Sequence, residues 1–208
     1  MKWKKCTTSL TTTHKTPSPT FIICRASSFL RCFNIKYFSM DTFDAIYTRR
    51  SIRKYETKPV EPEKIQKLLT AAMYAPSARN TQSWQYIVIA ERSELNAIMD
   101  VHPYAQMLAE APLAILVCGD KTLEPNEGYL SINCSAATQN ILLASQALGL
   151  GSVWLGVYPR EERMKGIAGL FKLPENVMPV SLIAIGYPAE KKMDPGRYMP
   201  ERVHYNKW

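Results

Sequence analysis

Ala75-Pro76-Ser77-Ala78-Arg79-Asn80-Thr81-Gln82-Ser83-Trp84 is a polar run with a proline near its start and an aromatic at its end. It holds a helix breaker and side chains that both donate and accept hydrogen bonds, so it reads as a loop. On its N-terminal side, Ile65, Leu68, Leu69, Ala72 and Met73 recur at i, i+3 and i+4 spacing behind Pro62. That pattern predicts an amphipathic helix over roughly 62–75, with proline suited to its first turn. On its C-terminal side, Tyr86-Ile87-Val88-Ile89 reads as a strand. Helices and strands continue to alternate outward along the chain.

Upstream, Asp41-Thr42-Phe43-Asp44 opens a short helix with acids at its positive end, and Phe43, Ile46 and Tyr47 form its apolar stripe. Downstream, Ser93 is expected to cap a helix carrying Leu95, Ile98 and Met99, and a second short helix covers 104–110. Residues 113–118 are apolar on both faces and predict a buried strand. Residues 128–148 form a long helix rich in small residues, which Gly149 and Gly151 should terminate. A strand follows at 153–158, a helix at 160–170 and a strand at 180–185, and then a polar tail from 188 to 208. Alternating helices and strands predict a layered α/β or α+β domain around a mixed sheet. There is no internal repeat and no sign of a second domain.

The chain has 208 residues and a net charge of +8, which taken whole suggests a polyanionic partner. Residues 1–39, however, hold seven basic residues and no acid, so residues 40–208 carry 19 basic and 18 acidic residues. The basic, Ser/Thr-rich extension resembles a transit peptide in composition. Met40 stands directly before a helix start, and the native protein is expected to begin there. Residues 1–39 then represent a mis-called start or, alternatively, a transit-like and disordered segment. The near-neutral domain of 40–208 gives no reason to expect a nucleic-acid partner, and no apolar run reaches the ~18 residues a membrane span requires. A cytoplasmic location is expected, with organelle targeting by 1–39 as the alternative.

All nine glycines lie at Gly119 or later, and no G-x-G-x-x-G or G-x-x-x-x-G-K-[ST] occurs. A Rossmann fingerprint and a P-loop are thereby excluded. No two of the five cysteines have C-x-x-C spacing; Cys118 and Cys134 read as small buried hydrophobes of a reducing compartment. His14, His102 and His204 lie apart, and neither a nucleophilic triad nor a metal-spaced cluster is visible. An enzyme with this sequence would borrow its reactive group from an organic cofactor.

Four stretches could bind one. Arg49-Arg50-Ser51-Ile52-Arg53 offers three guanidiniums and a hydroxyl at a helix end, a phosphate clamp, although cations there also complement the helix dipole. In the 75–84 loop, the Asn80 and Gln82 amides can read the edge of a heterocycle, or the loop is simply a helix cap. Gly149-Leu150-Gly151-Ser152-Val153-Trp154-Leu155-Gly156 ends in a glycine that could admit a ring, while Trp154 reads more readily as core. The fourth is Arg197, either a ligand or a solvated charge.

Taken together, Arg49 to Tyr55, Ala75 to Trp84, Leu148 to Gly156, Arg197-Tyr198-Met199-Pro200-Glu201 and Val203-His204-Tyr205 make residues 40–208 resemble a compact member of the FMN-dependent nitroreductase family. The resemblance implies an α+β fold, a central mixed sheet flanked by helices, and an intertwined homodimer with FMN at its interface. It implies that Arg49, Arg50, Ser51, Arg53 and Arg197 gather on the phosphate side. Ser77, Asn80 and Gln82 would hold the ribityl chain and ring edge across the interface, with Leu155 and Gly156 beside the reactive face. Arg79 or a lysine would stabilise the reduced, anionic flavin. Ser83 stands where the family often has proline, and the chain lacks the extra helices that cover the pocket in longer members. The implied activity is ping-pong transfer from NAD(P)H to a small-molecule acceptor such as a nitroaromatic or quinone. The same fold also serves flavin fragmentation, dehalogenation and enoyl or aldehyde reduction, and a flavin-binding protein with little turnover is a further alternative.

Overall fold

In the computed structural model, which describes residues 40–208, the chain opens with α1 (Thr42–Thr48), whose Phe43 amide donates to the Asp41 carboxylate at 2.8 Å. The expectations placed on 1–39 lie outside the described residues. The order continues α2 (Pro62–Met73), β1 (Trp84–Ile89), α3 (Arg92–Val101), β2 (Leu113–Asp120), α4 (Glu127–Ala147), β3 (Gly151–Gly156), α5 (Glu161–Leu170) and β4 (Val177–Gly186). A 3₁₀ turn at Gln106–Ala109 takes the place of the longer helix expected over 104–110. Glu91, not Ser93, occupies the N-cap of α3, so Ser93 lies inside the first turn.

The four strands form one sheet in the order β1-β2-β4-β3. Every neighbouring pair is antiparallel, which corrects the expected mixed sheet for the named strands of this chain. The sole parallel pairing among the described residues is the isolated bridge between Ser51 and Ser152. Periodicity reveals which faces are buried but not the direction of the neighbour, hence the difference.

Because β2 is central, its alternate residues feed two cores. Leu113, Ile115 and Val117 join Leu68 and Ala72 of α2 and Leu130, Cys134, Ala137 and Ile141 of α4 on one face. Ala114, Leu116 and Cys118 join Leu95 and Ile98 of α3 and Ile167 of α5 on the other. Helices thus cover both faces of the sheet, and each fully buried Leu or Ile contributes roughly 1.5–3 kcal/mol. Cys118 and Cys134 are buried free thiols, as read from the sequence. Burial pushes both up to about 12, so they stay protonated and inert.

Gly149 ends α4 with φ at +73°, a left-handed residue one step beyond the Leu148 cap. Gly151 does not terminate the helix; it begins β3. A Cβ on Gly151 would stand 2.8 Å from the Ile52 side chain, so glycine is needed where the 49–55 segment crosses β3.

Two apolar regions lie outside these cores. The α1 stripe forms as expected but faces outward, with Phe43 and Tyr47 about 60% exposed at 62% and 63%. The tail from 191 to 208 is exposed throughout, including Tyr198, Tyr205 and Trp208. Among the described residues, no helix is long and apolar enough to cross a membrane.

Candidate flavin site

The 49–55 segment is pinned along β3. The Ile52 amide donates to the Ser152 carbonyl at 3.1 Å. Ile52 is buried, and the Tyr55 hydroxyl, also buried, donates to the Ile52 carbonyl at 2.6 Å. Anchoring this hydrophobic residue leaves Arg53 exposed, with Arg49 and Arg50 half-buried.

Arg49 and Arg50 meet different fates. Arg50 donates to the Met193 carbonyl at 3.0 Å, to the Tyr47 carbonyl at 2.6 Å and to the Asp194 carboxylate at 2.9 Å. Its guanidinium is already satisfied, so it ties the tail to α1. Arg49 and Arg197 line a cavity of about 680 Å³ with Arg50, Tyr47, Gln139, Tyr198 and Asp194, whose carboxylate is already paired with Arg50. Among the described residues, neither Arg49 nor Arg197 makes an ion pair with a carboxylate. Partial burial, then the charges of Arg197 and Arg50, lower the affinity of Arg49 for its own proton. Such an uncompensated cation cluster is a site for an anion. Ser51 is half-buried, and its carbonyl accepts from Lys192 at 2.7 Å.

Arg53 lies apart from Arg49. It lines a second cavity, about 470 Å³, with Trp154, Leu155, Gly156, His102, Tyr104 and Arg163. Its amide donates to Glu190 at 2.6 Å, which holds that carboxyl below its usual range. Trp154, read as core, is 37% exposed here. Gly156 shows what the cavity is shaped for. A Cβ there would meet no atom within 4 Å, and its φ is not in the left-handed region. Neither backbone strain nor packing within this chain requires glycine at 156. The open space above it fits the close approach of a flat ring.

Ser77, Asn80 and Gln82 line neither of these two cavities. They form their own network: the Gln82 amide donates to Ser77 Oγ at 3.0 Å and its side chain to Asn80 Oδ1 at 3.3 Å. Arg79, Asn80 and Gln82 have φ values of 54°, 55° and 46°. Three non-glycine residues in the left-handed region within four positions mark a strained loop, which needs external support.

That support comes from two residues the sequence reading missed. Asn133 of α4, 1% exposed, accepts from the Ala78 amide at 2.8 Å and donates to Thr81 and Ser83 hydroxyls, each at 3.2 Å. A polar residue among Leu130, Cys134 and Ala137 was the available signal. Glu124, fully buried, accepts from Arg79 Nη2 through both oxygens at 2.8 and 2.7 Å. The Arg79 hydrogen bond holds the Glu124 carboxyl below its ordinary value, and Glu124 in turn raises Arg79. Arg79 is thus committed to a structural carboxylate, which turns the expectation of a cation for the reduced flavin from Arg79 to its lysine alternative. Nothing in local sequence links positions 79 and 124.

His102 and Arg163 were also missed. Buried His102 caps α3 and reaches the Gly156 carbonyl through Nε2 at 3.0 Å, and Arg163 Nη1 donates to the same oxygen at 2.8 Å. Burial lowers the His102 pKa below its usual value.

The sequence model of the Nitroreductase family matches residues 46–102 and 99–187. A protein of Methanothermobacter thermautotrophicus, provisionally named NADH dehydrogenase/NAD(P)H nitroreductase, is 50% identical over 83% of this chain and 91% of its own length. A crystal structure from Parabacteroides distasonis with the same provisional name superposes with a TM-score of 0.77 at 41% identity, covering 80% of this chain and 98% of that one. A provisionally named nitroreductase of Desulfovibrio desulfuricans, crystallised with FMN, superposes with a TM-score of 0.70 at 31% identity, covering 80% and 97%. The chain belongs to the nitroreductase family.

Proposed function

We infer that this chain is an FMN-dependent oxidoreductase that draws electrons from NAD(P)H and reduces nitroaromatics, quinones or similar acceptors as a homodimer. The observation that carries the reading is the pair Arg49 and Arg197 on one cavity, with no carboxylate paired to either among the described residues, which fits a phosphate. The open space above Gly156 fits the ring of the same cofactor. The FMN in the Desulfovibrio relative supports this assignment.

Arg49, Ser51 and Arg197 would hold the phosphate side, with Arg50 fixing the tail that delivers Arg197, whereas Arg53, expected on the phosphate, stands instead at the cavity of Leu155 and Gly156. Ser77, Asn80 and Gln82 would hold the ribityl chain and ring edge. Leu155 and Gly156 would lie beside the ring. Bound FMN would supply hydride acceptance from NAD(P)H and electron transfer to the second substrate, in ping-pong order. The chain itself orients the cofactor, excludes water with the apolar wall of Leu155 and Trp154, and keeps fixed positive charge nearby. No acid–base pair is needed for such a hydride transfer, in agreement with the scattered histidines.

The homodimer is supported by the outward stripe of α1, the exposed aromatic tail, and the separation of the 77–82 loop from both cavities of its own chain. A partner's loop would complete each site. Two buried free cysteines agree with a reducing compartment such as the cytoplasm.

The test is the visible spectrum of the purified protein, followed by NAD(P)H oxidation with a nitroaromatic or quinone. A flavin spectrum, released as FMN on denaturation, and acceptor-dependent turnover are expected. A folded, colourless protein that takes up no FMN would overturn the reading.

A further inference from the structure

We propose that His102 and Arg163 are positioning residues for the flavin site, which they serve by clamping the Gly156 carbonyl at the open edge of β3. The proposal rests on the FMN reading above and assigns it two residues that lie outside the cofactor-binding stretches.

β4 occupies one edge of β3, and the Ser152 carbonyl, which accepts from Ile52, must therefore face the other. By the two-residue repeat of a strand, Trp154 and Gly156 present their backbone groups to that same outer edge. Residues 154–156 line the 470 Å³ cavity together with Arg53. The edge is tied to the 49–55 segment at Ser152, and it must be held again at its far end for the intervening backbone to stay in place.

That end is a glycine with no neighbour within 4 Å of where its Cβ would be. Glycine loses more conformational freedom on ordering than any other residue, and nothing steric holds this one. Its carbonyl has two lone pairs, and both are used: His102 Nε2 at 3.0 Å and Arg163 Nη1 at 2.8 Å. The donors come from the C-terminal end of α3 and the first turn of α5, so two helices fix one peptide plane. The His102 ring is fixed in turn, since its Nδ1 accepts from the Tyr104 amide at 3.3 Å, which leaves the proton on Nε2. The Arg163 guanidinium lies 5.0 Å from the Tyr104 ring centre and is held there. A site that must be glycine to admit a ring gains its precision from side chains elsewhere.

Arg163→Met removes one donor and keeps the stem. It should weaken FMN binding about tenfold, because the Gly156 peptide it frees must be ordered again when the ring binds, at about 1–2 kcal/mol for one residue. It should also shift the flavin reduction potential, while leaving the thermal midpoint of the apoprotein near that of the wild type. Arg163→Lys should recover much of the affinity. His102→Leu should repeat the defect and His102→Gln, which retains a donor, should relieve it. Wild-type affinity and potential in both Arg163→Met and His102→Leu would overturn the proposal, as would a loss of apoprotein stability in Arg163→Met that Arg163→Lys does not relieve. These outcomes presuppose a wild type that binds FMN; a wild type that takes up none overturns the functional reading and this one together.

Discussion

Two arginine sites in this molecule differ in what faces them. Arg79 meets a fully buried carboxylate, Glu124, through both of its oxygens. Arg49 meets a second cation, Arg197, across a cavity, with no carboxylate paired to either among the described residues. The first charge is neutralised from within and supports a strained loop. The second is left to an outside anion. A satisfied cation is scaffold and an uncompensated one is a site, and sequence composition does not distinguish them.

Four experiments test this contrast. The largest effect is expected for Arg49→Ala combined with Arg197→Ala. Loss of two charged hydrogen bonds at about 1.5–3 kcal/mol each should weaken FMN binding by at least about 100-fold in a fluorescence titration. The fold should persist in circular dichroism, because neither residue makes an ion pair among the described residues. Next is Glu124→Gln, which should do the opposite in kind. It leaves Arg79 without its counter-charge, so thermal stability should fall, with a smaller loss of FMN affinity caused by the loosened 77–83 loop. Equal effects of the two changes on stability would dissolve the contrast.

Gly156→Ala should be smaller still in stability, within about 0.5 kcal/mol for the apoprotein, since its backbone angle suits any residue and its surroundings are open. FMN affinity should nonetheless fall. The smallest effect concerns pH. His102 is depressed from its ordinary 6.5, so the unfolded chain takes up that proton first. Its contribution is complete above pH 6.5 and is lost as pH falls from there toward the folded value. Glu124 and Glu190 are depressed from 4.5, so their contributions are complete above that pH and are lost below it. Denaturant titrations at stepped pH should show two declines, and His102→Gln should flatten only the upper one.

Much of the fold was legible because its signals are local. The both-face apolar run of β2, the helical spacing of α2 and the left-handed Gly149 after α4 all stand where the pattern put them. The antiparallel strand order was not legible, since pleat alternation is the same beside either neighbour direction. The α1 stripe was legible as an apolar face but its exposure was not, because a 3.6-residue period says that a face is apolar and not which chain covers it. In the site, Arg49 and Arg53 were visible as a motif, but their division between two cavities was not. Glu124, His102 and Arg163 were invisible for a common reason: each acts on a partner at positions 79 or 156, and that pairing exists only once the helices have packed.

The most direct measurement is a titration of FMN into purified apoprotein, followed by flavin fluorescence and by molar mass from light scattering. The expected result is saturation at one FMN per chain, on a particle of twice the chain mass, and loss of that binding when Arg49 and Arg197 are both replaced by alanine. A folded protein that binds no FMN, or one whose binding is indifferent to both arginines, would contradict it.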